Sequence, residues 1–286
     1  GTHLIALEDG RLAIFDHGAQ FFTAKGRRFR DDVATWLRNG HVSRWHRANV
    51  HHDGAMRFCG IPGMSAVPDV MARDLDVRLN TRITNIQQVA DAWRATSEDG
   101  QTFESPHVIV AVPLPAALLI LNGVLGPESD WRKRAISEDS LYAPCLAALY
   151  VLDGPSGMNT PGCEHLSFSP IQWICDNHIK GVSPQVHTLT VHAGRDFSMR
   201  WWTEDREAVG RELDAAVQTR LRAKIVHREY HGWKHSFARH TLPGVIGVVQ
   251  TGPTLVLAGD AFVSPKVEGA YESGKEAGNF IAGVLG

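Results

Sequence analysis

The sequence predicts an α/β (α+β) fold, in which buried strands alternate with helices and a β-rich layer is inserted between them. Two apolar runs, Val108–Val112 and Leu255–Ala258, suit strands inside a sheet. The first run is unbroken, as expected for a strand buried on both faces of a parallel sheet. Residues 141–202 contain several strand-like runs, and a helix is predicted from about Gly269 to Val284.

Length and composition restrict the class of protein. The 286 residues suffice for one large domain or two intimate ones, and 43% apolar with 21% charged residues is ordinary for a globular protein. A net charge of −2 does not indicate a nucleic-acid or membrane partner. No apolar run approaches the roughly 18 residues that span a bilayer, and the N-terminal residues do not resemble a signal peptide. We therefore expect a cytoplasmic protein with a small-molecule substrate.

The four cysteines, Cys59, Cys145, Cys163 and Cys175, form no Cys-x-x-Cys string. Their spacing predicts reduced thiols rather than a disulfide framework. The spacing does not predict a zinc site, and no His-Glu-x-x-His string occurs. We expect no bound metal.

The first seventy residues predict a hairpin, a helix, a strand region and a second helix. Residues 3–15 are expected to form the hairpin around the turn Glu8-Asp9-Gly10. Arg27–Asn39 has a helical apolar stripe that stops at Gly40. Val42–Phe58 is strand-like, and Ser65 is expected to cap a short helix through Met71.

The middle and the end of the chain predict mostly strands. Val77–Ile86 alternates like a strand, and Glu98-Asp99-Gly100 is the turn of a second hairpin. The later predictions are a helix over Ala116–Leu121, strands over Ala147–Leu152, Ile171–Cys175 and Thr188–His192, a helix from Thr203 to Arg222, a strand over Glu229–Ala238 and a loop over Leu242–Gly252.

Gly259-Asp260 follows the last strand and precedes the last helix. In this position the Asp260 carboxylate can accept hydrogen bonds from a sugar or polyol hydroxyl, and free amides at the helix N-terminus can stabilise a partly negative oxygen. Small residues such as Gly269 and Ala270 permit close approach of another backbone or a flat ligand. The alternative is that Gly259-Asp260 is a plain turn in which Asp260 caps the helix.

A second polar segment, Asp16–Thr23, follows the first hairpin. Gly18 and Ala19 permit close backbone approach, and Gln20 can hydrogen-bond the edge of a ligand. The alternative is a simple connection between a strand and a helix, with Asp16 as a turn residue.

These two segments carry a family resemblance. G-D-x(7)-E-G-A-x-x-S-G, from Gly259 to Gly274, resembles the closing FAD motif of the flavin amine oxidase superfamily. F-D-H-G-A-Q-F-F-T-A, residues 15–24, resembles a signature of its bacterial renalase-like branch. The resemblance implies FAD as cofactor, with Asp260 at the ribityl or phosphate end and the amides of Gly269 and Ala270 at the flavin ring. The full set of implied contacts is Asp16, Gly18, Ala19, Gln20, Gly259, Asp260, Glu268, Gly269 and Ala270.

The same resemblance implies an incomplete Rossmann-like FAD-binding domain with an inserted β-sheet-rich substrate domain. Residues 1–60, 76–125 and 240–286 are assigned to the first, and residues 61–75 and 126–239 to the second. The Gly-x-Gly-x-x-Gly string that begins such folds does not occur in the sequence. Three explanations stay open: the βαβ unit lies in a further N-terminal piece or a second polypeptide, flavin binds weakly through the remaining half, or flavin binding has been lost.

The expected function is that of an FAD-dependent oxidoreductase. By resemblance, the substrate is a reduced nicotinamide dinucleotide or an amine, with oxygen as electron acceptor. Candidates for the substrate face are Trp173, His192, Trp201, Trp233 and His235, of which His235, Trp233 and His192 are the candidate catalytic residues; the alternative is that they belong to the core. The competing hypothesis is a flavin-free binding module or the partner subunit of a split flavoenzyme. The sequence contains no Gly-x-Ser-x-Gly elbow, so it does not indicate a Ser-His-Asp hydrolase.

Overall fold

A computed structural model describes residues 1–48, 53–136, 141–167 and 170–285. The helices are α1 (Arg27–Arg38), α2 (Ala66–Met71), α3 (Leu114–Ile120), α4 (Asp130–Ile136), α5 (Arg195–Arg200), α6 (Arg206–Gln218) and α7 (Val267–Leu285). The strands are β1 (Thr2–Ala6), β2 (Leu12–Asp16), β3 (Val42–Arg47), β4 (Met56–Gly60), β5 (Ile83–Val89), β6 (Ala92–Ser97), β7 (Thr102–Ser105), β8 (His107–Val110), β9 (Tyr142–Leu152), β10 (Cys163–His165), β11 (Ile171–Asp176), β12 (Thr188–Ala193), β13 (Ile225–Ala238), β14 (Gly247–Thr251) and β15 (Thr254–Leu257). Among these described residues, no helix combines the length and apolar character that a membrane crossing requires.

The chain divides into two compact units. The first, which we call the large unit, comprises residues 1–74 and 143–237, and the second, the small unit, comprises residues 75–142 and 238–286. Each unit has its own sheets and its own hydrophobic core.

The large unit is built on a five-stranded sheet in the order β10-β11-β12-β9-β13. Helix α6 contributes Val209, Leu213 and Val217 to the core at this sheet, since these residues lie on one helical face and are buried. The β1–β2 hairpin packs through Ala13 and Phe15 against a separate apolar cluster with Leu149, Val151 and Val186.

The small unit holds two three-stranded sheets, β14-β15-β8 and β5-β6-β7. Strand β15 is buried along its whole length and pairs in parallel with β8 and antiparallel with β14. Helix α7 covers β15 through Ala277, which clusters with Val256 and Ala258. Trp93 of β6 is fully buried in the core that these elements share with α3.

The grouping of segments differs from the sequence-based assignment. Residues 1–60 were expected with residues 76–125 and 240–286, but contacts place residues 1–74 with residues 143–237. The physical reason is the apolar face of β2, which packs against the sheet of the large unit. The assignment of one unit to FAD and the other to substrate stays a prediction.

Local patterns predicted many of the elements. The first hairpin, helix α1, the β6–β7 hairpin and the strands β9, β11, β12, β13 and β15 are confirmed. Helices α4 and α5 and the short strand β10 were not predicted. The segment 42–58 contains two antiparallel strands, β3 and β4, rather than one strand region; residues 49–52 lie outside the described part.

Four predictions about element boundaries were wrong. Strand β5 begins at Ile83 rather than Val77, because the apolar side chains of residues 75, 77 and 79 face solvent. The expected loop over Leu242–Gly252 contains β14, which pairs with β15. Ser65 precedes α2 without a side-chain cap. Helix α6 begins at Arg206, not near Thr203, because Asp205 accepts a hydrogen bond from the Ala208 N–H at 3.0 Å.

Strand β8 is also less buried than its apolar sequence predicts. Ile109 is 41% exposed, whereas its neighbour Val110 is buried. The reason is position, since β8 lies at the end of the β14-β15-β8 order and has one strand neighbour among the described residues.

The α6 cap gives a stability prediction. Asp205→Ala should lower the free energy of unfolding by about 1 kcal/mol, since an N-terminal amide of α6 loses its acceptor. Thr203→Ala, the matched control two residues earlier, should change it by less than about 0.5 kcal/mol. Urea unfolding of both variants checks this, and a larger loss for Thr203→Ala than for Asp205→Ala would contradict the assignment.

Candidate functional site

The first group of predicted site residues lies where two parallel strands end. Leu257 of β15 pairs with Val110 of β8, so both strands finish at the same edge of the sheet. Gly259 and Asp260 follow β15 directly. In open α/β sheets, ligands bind outside the carboxyl ends of the strands. The position of Asp260 therefore agrees with a ligand-binding role.

Gly259 and Ser273 shape this strand end. Gly259 has φ of +143°, a conformation that favours glycine, and the space where its Cβ would lie is open. Its N–H donates to the Ser273 Oγ at 3.0 Å, and that hydroxyl donates to the Val245 carbonyl at 2.7 Å. Ser273 is buried in α7, so it fixes the strand end relative to the helix.

The Asp260 carboxylate has a defined partner. The Tyr142 hydroxyl donates to its Oδ1 at 3.0 Å. Burial raises the pKa of Asp260, and the hydrogen bond from Tyr142 opposes that shift. Burial and the neighbouring carboxylate raise the pKa of Tyr142, so its phenol stays protonated and acts as the donor. Asp260 is half-buried, and the backbone N–H groups of Asp260 and Ala261 also lower its pKa.

A small apolar pocket adjoins this carboxylate. It is lined by Val112, Leu114, Ala117, Tyr142, Leu257, Ala258, Gly259, Ala261 and Phe262. The lining comes from the ends of both parallel strands and from α3. Tyr142, which donates to Asp260, is part of this lining.

The small residues at the start of α7 serve the protein itself. A Cβ on Gly269 would lie 2.1 Å from the Ser264 carbonyl oxygen, so glycine is needed for the preceding loop to pack on the helix. The Ala270 N–H already donates to the Lys266 carbonyl at 3.0 Å. The resemblance implied that the Ala270 amide points to the flavin ring. The structure shows this amide engaged inside the helix instead. Glu268 lies in the first helical turn.

The second group of predicted residues surrounds Asp16 in the large unit. Asp16 and Lys180 are fully buried and form an ion pair of 2.7 Å. The other carboxylate oxygen of Asp16 accepts from the Thr2 hydroxyl at 3.1 Å and from the Met64 N–H at 2.7 Å. Both oxygens are thus engaged within the protein. Cofactor contact by Asp16 stays a prediction, and a buried carboxylate with these partners has no free face to offer.

Close packing explains the glycines near this pair. A Cβ on Gly63 would lie 2.8 Å from the Asp16 Oδ1, so glycine lets the Met64 amide reach the carboxylate. A Cβ on Gly18 would contact the Trp233 ring at 3.4 Å. Gln20 donates through its amide to the backbone carbonyls of Asp16 and Gly18. The Gln20 side-chain oxygen is buried and has no hydrogen-bond partner among the described residues. Ala19 is exposed, between Gly18 and Gln20.

Two of the candidate catalytic residues hold the backbone of this segment. The indole N–H of Trp233 and the Nε2 of His192 each lie 3.1 Å from the His17 carbonyl oxygen. Burial lowers the pKa of His192 to about 4, so its ring is neutral near pH 7 and Nε2 must carry the proton that it donates. Burial likewise lowers the pKa of His17 to about 4. These side chains position residues 16–20.

The remaining substrate-face candidates fall into different environments. Trp173 lies in an aromatic cluster, with its ring 5.8 Å from Phe21 and 6.5 Å from Trp45. Trp201 stacks on Phe197 and packs against the core of the large unit, which favours the core alternative for this residue. Burial lowers the pKa of His235.

Sequence reasoning missed two residues that organise these sites. Lys180 lies 164 positions from Asp16, and nothing in its local sequence distinguishes a buried lysine from an exposed one. Tyr142 begins a strand 118 positions before Asp260 and belongs to no motif. Only the folded chain brings either pair together.

Comparison with known proteins places the chain in a family. A family model described as "Flavin containing amine oxidoreductase" matches residues 36–279, which is well over half of the chain. The chain belongs to this family. FAD is the cofactor that membership implies, and the expectation of the flavin amine oxidase superfamily is confirmed at this level; the narrower renalase-like resemblance stays a prediction.

Individual relatives are more distant. Polyamine oxidase 2 of Arabidopsis thaliana is 30% identical over 81 residues, which cover 27% of this chain and 16% of the relative. A protein described as a protoporphyrinogen oxidase from Exiguobacterium sp. 255-15 has a TM-score of 0.58 and 12% identity, covering 80% of this chain and 52% of its own. A putrescine oxidase bound to putrescine has a TM-score of 0.54 and 14% identity, and the match covers 80% of this chain and 54% of the putrescine oxidase. The chain thus spans about half the length of these solved structures, whose likeness shows the fold.

The Asp16–Lys180 pair gives a second stability prediction. Lys180→Met should lower the free energy of unfolding by about 3–5 kcal/mol, because it leaves a buried carboxylate unpaired. The double variant Asp16→Asn/Lys180→Met should recover much of that loss, since neither charge remains. As a control, Lys133→Met removes an exposed ion pair with Glu128 and should cost less than about 1 kcal/mol. Chemical unfolding measures all three, and a Lys180→Met variant as stable as Lys133→Met would show that the buried pair is not structural.

Proposed function

We propose that this chain is the part of an FAD-dependent oxidoreductase that binds the polar half of the flavin at the end of β15. FAD, when bound, supplies the redox chemistry by accepting hydride equivalents from the substrate. The observation that carries the proposal is the Asp260 carboxylate, which lies at the common end of two parallel strands with one oxygen held by Tyr142. This acceptor lies within the part of the chain that matches the flavin-containing family.

In this proposal each residue near Asp260 has one task. The Asp260 carboxylate accepts a hydrogen bond from a flavin ribityl hydroxyl or holds the region next to the phosphates. Gly259 supplies the open backbone that lets the cofactor approach. The first turn of α7, including Glu268 and Gly269, lies beside them, and its end carries partial positive charge that favours a reduced, anionic flavin ring.

The segment 16–20 contributes through the side-chain oxygen of Gln20 rather than through the Asp16 carboxylate or the backbone carbonyls, which accept hydrogen bonds from the protein itself. The ion pair with Lys180 and the bonds to the His17 carbonyl hold the segment in one conformation. We propose that Gln20, whose side-chain oxygen has no partner in the described part of the chain, contacts the flavin as the renalase-like resemblance implies. On the substrate side, His192, Trp233 and His235 then shape the site and do not act as strong acids or bases, since hydride transfer needs no charged residue.

The substrate is proposed at the level of two classes. An amine is favoured by the names of the relatives, a polyamine oxidase and a putrescine oxidase. A reduced nicotinamide dinucleotide is favoured by the renalase-like residues 15–24. Oxygen is the proposed electron acceptor for either class. We further propose that a βαβ unit outside these 286 residues, in the same or a second polypeptide, binds the pyrophosphate of FAD.

The proposal predicts how flavin binding responds to Asp260. When FAD is added to the protein, the fluorescence of FAD should be quenched and the melting temperature of the protein should rise. Asp260→Asn should weaken binding by about 10-fold or more, since a charged acceptor contributes about 1.5–3 kcal/mol. The matched control Asp91→Asn, an exposed turn residue of the same unit, should leave the affinity unchanged. Titration of the protein with FAD, followed by fluorescence, measures both variants.

Tyr142 should tune the pH dependence of the same binding. The pKa of Asp260 is raised by burial, so its carboxylate becomes protonated, and flavin affinity falls, at a higher pH than for an ordinary aspartate. In Tyr142→Phe the donor that favours the ionised carboxylate is gone, so flavin affinity should fall at a still higher pH. As a control, Tyr230→Phe removes a similar hydrogen bond to Asp214 in the large unit. It should leave the pH at which flavin affinity falls unchanged.

The outcomes separate the competing hypotheses. If the protein neither quenches FAD fluorescence nor changes its melting temperature when FAD is added, FAD binding by these 286 residues alone is rejected. FAD binding that Asp260→Asn leaves intact would keep the flavin but reject the site at β15.

A further inference from the structure

Two cysteines, distant from any motif, face each other across a pair of antiparallel strands. In the β10–β11 pair, Cys163 is the direct partner of Cys175. The Asp176 N–H donates to the Gly162 carbonyl and the Leu166 N–H to the Gln172 carbonyl, each at 2.7 Å. Bonded and non-bonded pairs alternate along an antiparallel ladder. Cys163 and Cys175 therefore form a non-hydrogen-bonded pair, in which side chains lie closest.

Such a pair matches the geometry that a disulfide requires. Directly opposite residues in non-hydrogen-bonded positions have Cα atoms about 4.5 Å apart and project from the same face of the sheet. A disulfide accepts Cα separations of about 4.4–6.8 Å. We propose that Cys163 and Cys175 are a cross-strand dithiol that an oxidant converts to a disulfide without rearrangement of the sheet. Both thiols are free in the structure.

The surroundings give the two thiols different roles. Cys163 is half-buried and its Sγ lies 3.6 Å from the Nε2 of His46, whereas Cys175 is fully buried. An oxidant therefore meets Cys163 first, and Cys175 is the resolving thiol. Burial raises the pKa of Cys163 to about 11, and the positive charges of Lys180 and Arg57 oppose that shift. The thiolate fraction is small near pH 7, so the reaction is slow and accelerates as pH rises.

The other two cysteines do not share this geometry. Cys59 of β4 pairs across its ladder with Ser43, whose hydroxyl oxygen lies 3.3 Å from the Cys59 sulfur. Cys145 lies in β9, and its thiol donates weakly to the Leu146 carbonyl at 3.5 Å. Neither has a cysteine as its strand partner, so oxidation should select the Cys163–Cys175 pair.

The chemistry balances with a peroxide as oxidant. The Cys163 thiolate attacks the O–O bond of hydrogen peroxide and becomes a sulfenic acid, and one oxygen leaves as water. The Cys175 sulfur then attacks the Cys163 sulfur, the S–S bond forms, and the sulfenic oxygen leaves as a second water. In total two thiols lose two electrons and two protons, and one peroxide is reduced to two waters. A small-molecule disulfide serves equally, by exchange through a mixed disulfide.

The test uses the full chain in its folded state. The protein is treated with hydrogen peroxide or with oxidised dithiothreitol, the remaining thiols are alkylated, and the intact mass and proteolytic peptides are measured. We expect the loss of two hydrogen atoms, a peptide pair linked through Cys163 and Cys175, and two fewer alkylated thiols. The linked form should accumulate faster as pH is raised and should revert with a reducing agent.

Serine variants provide matched controls. Cys163→Ser and Cys175→Ser should abolish the linked peptide, whereas Cys59→Ser and Cys145→Ser should retain it. The wild-type peptide map decides the matter even if a variant folds poorly. A linked pair that involves Cys59 or Cys145, or a wild-type protein in which Cys163 is driven to sulfinic acid without any disulfide, would overturn the proposal. Neither result bears on FAD binding, so this inference and the proposed function fail independently.

Discussion

The buried ion pair between Asp16 and Lys180 is the interaction on which the large unit depends. Taking two charges out of water is costly, and the cost is offset only when both are paired and hydrogen-bonded. Here the carboxylate also accepts from Thr2 and Met64, and the lysine ammonium also donates to the Gln20 carbonyl. The pair thus joins the first hairpin, the loop before α2 and the turn after β11, and each of these segments must be in place for the charges to be satisfied.

This constraint changes the meaning of the segment that follows β2. Asp16 was expected to contact the cofactor, and its carboxylate has a structural role as the partner of Lys180; cofactor contact by this segment stays a prediction. The His17 carbonyl, which accepts from His192 and Trp233, strengthens the same conclusion. A segment held from three sides loses little conformational freedom on binding, and preorganisation of this kind favours affinity.

The site at the end of β15 depends on a buried strand and on hydrogen bonds rather than on a buried ion pair. Strand β15 is fully buried, and Ser273 ties its end to α7, so Asp260 projects from a rigid support. Tyr142 engages one carboxylate oxygen and opposes the effect of burial on its pKa, which keeps the group a good acceptor. The family match over residues 36–279 includes β15, Asp260 and Ser273.

Local patterns in the sequence predicted the elements better than their assembly. Alternation and turn residues located the first hairpin, and one apolar stripe located α1, because both signals are complete within a dozen residues. The grouping of residues 1–60 differs from the contact-based units because Ala13 and Phe15 pack on β9, a contact that no local pattern encodes. The same reason hid Lys180 and Tyr142, whose partners lie far away in sequence. Asp205 displaced Thr203 as the helix cap because both are good caps, and backbone geometry alone decides between them.

The most direct measurement of the central claim is a crystal structure of the protein with FAD bound, at a resolution that identifies the partners of each carboxylate. We expect the Asp260 carboxylate to contact the polar chain of the flavin while Asp16 stays bonded to Lys180. A flavin that contacts the Asp16 carboxylate, with Asp260 facing away from it, would contradict the account.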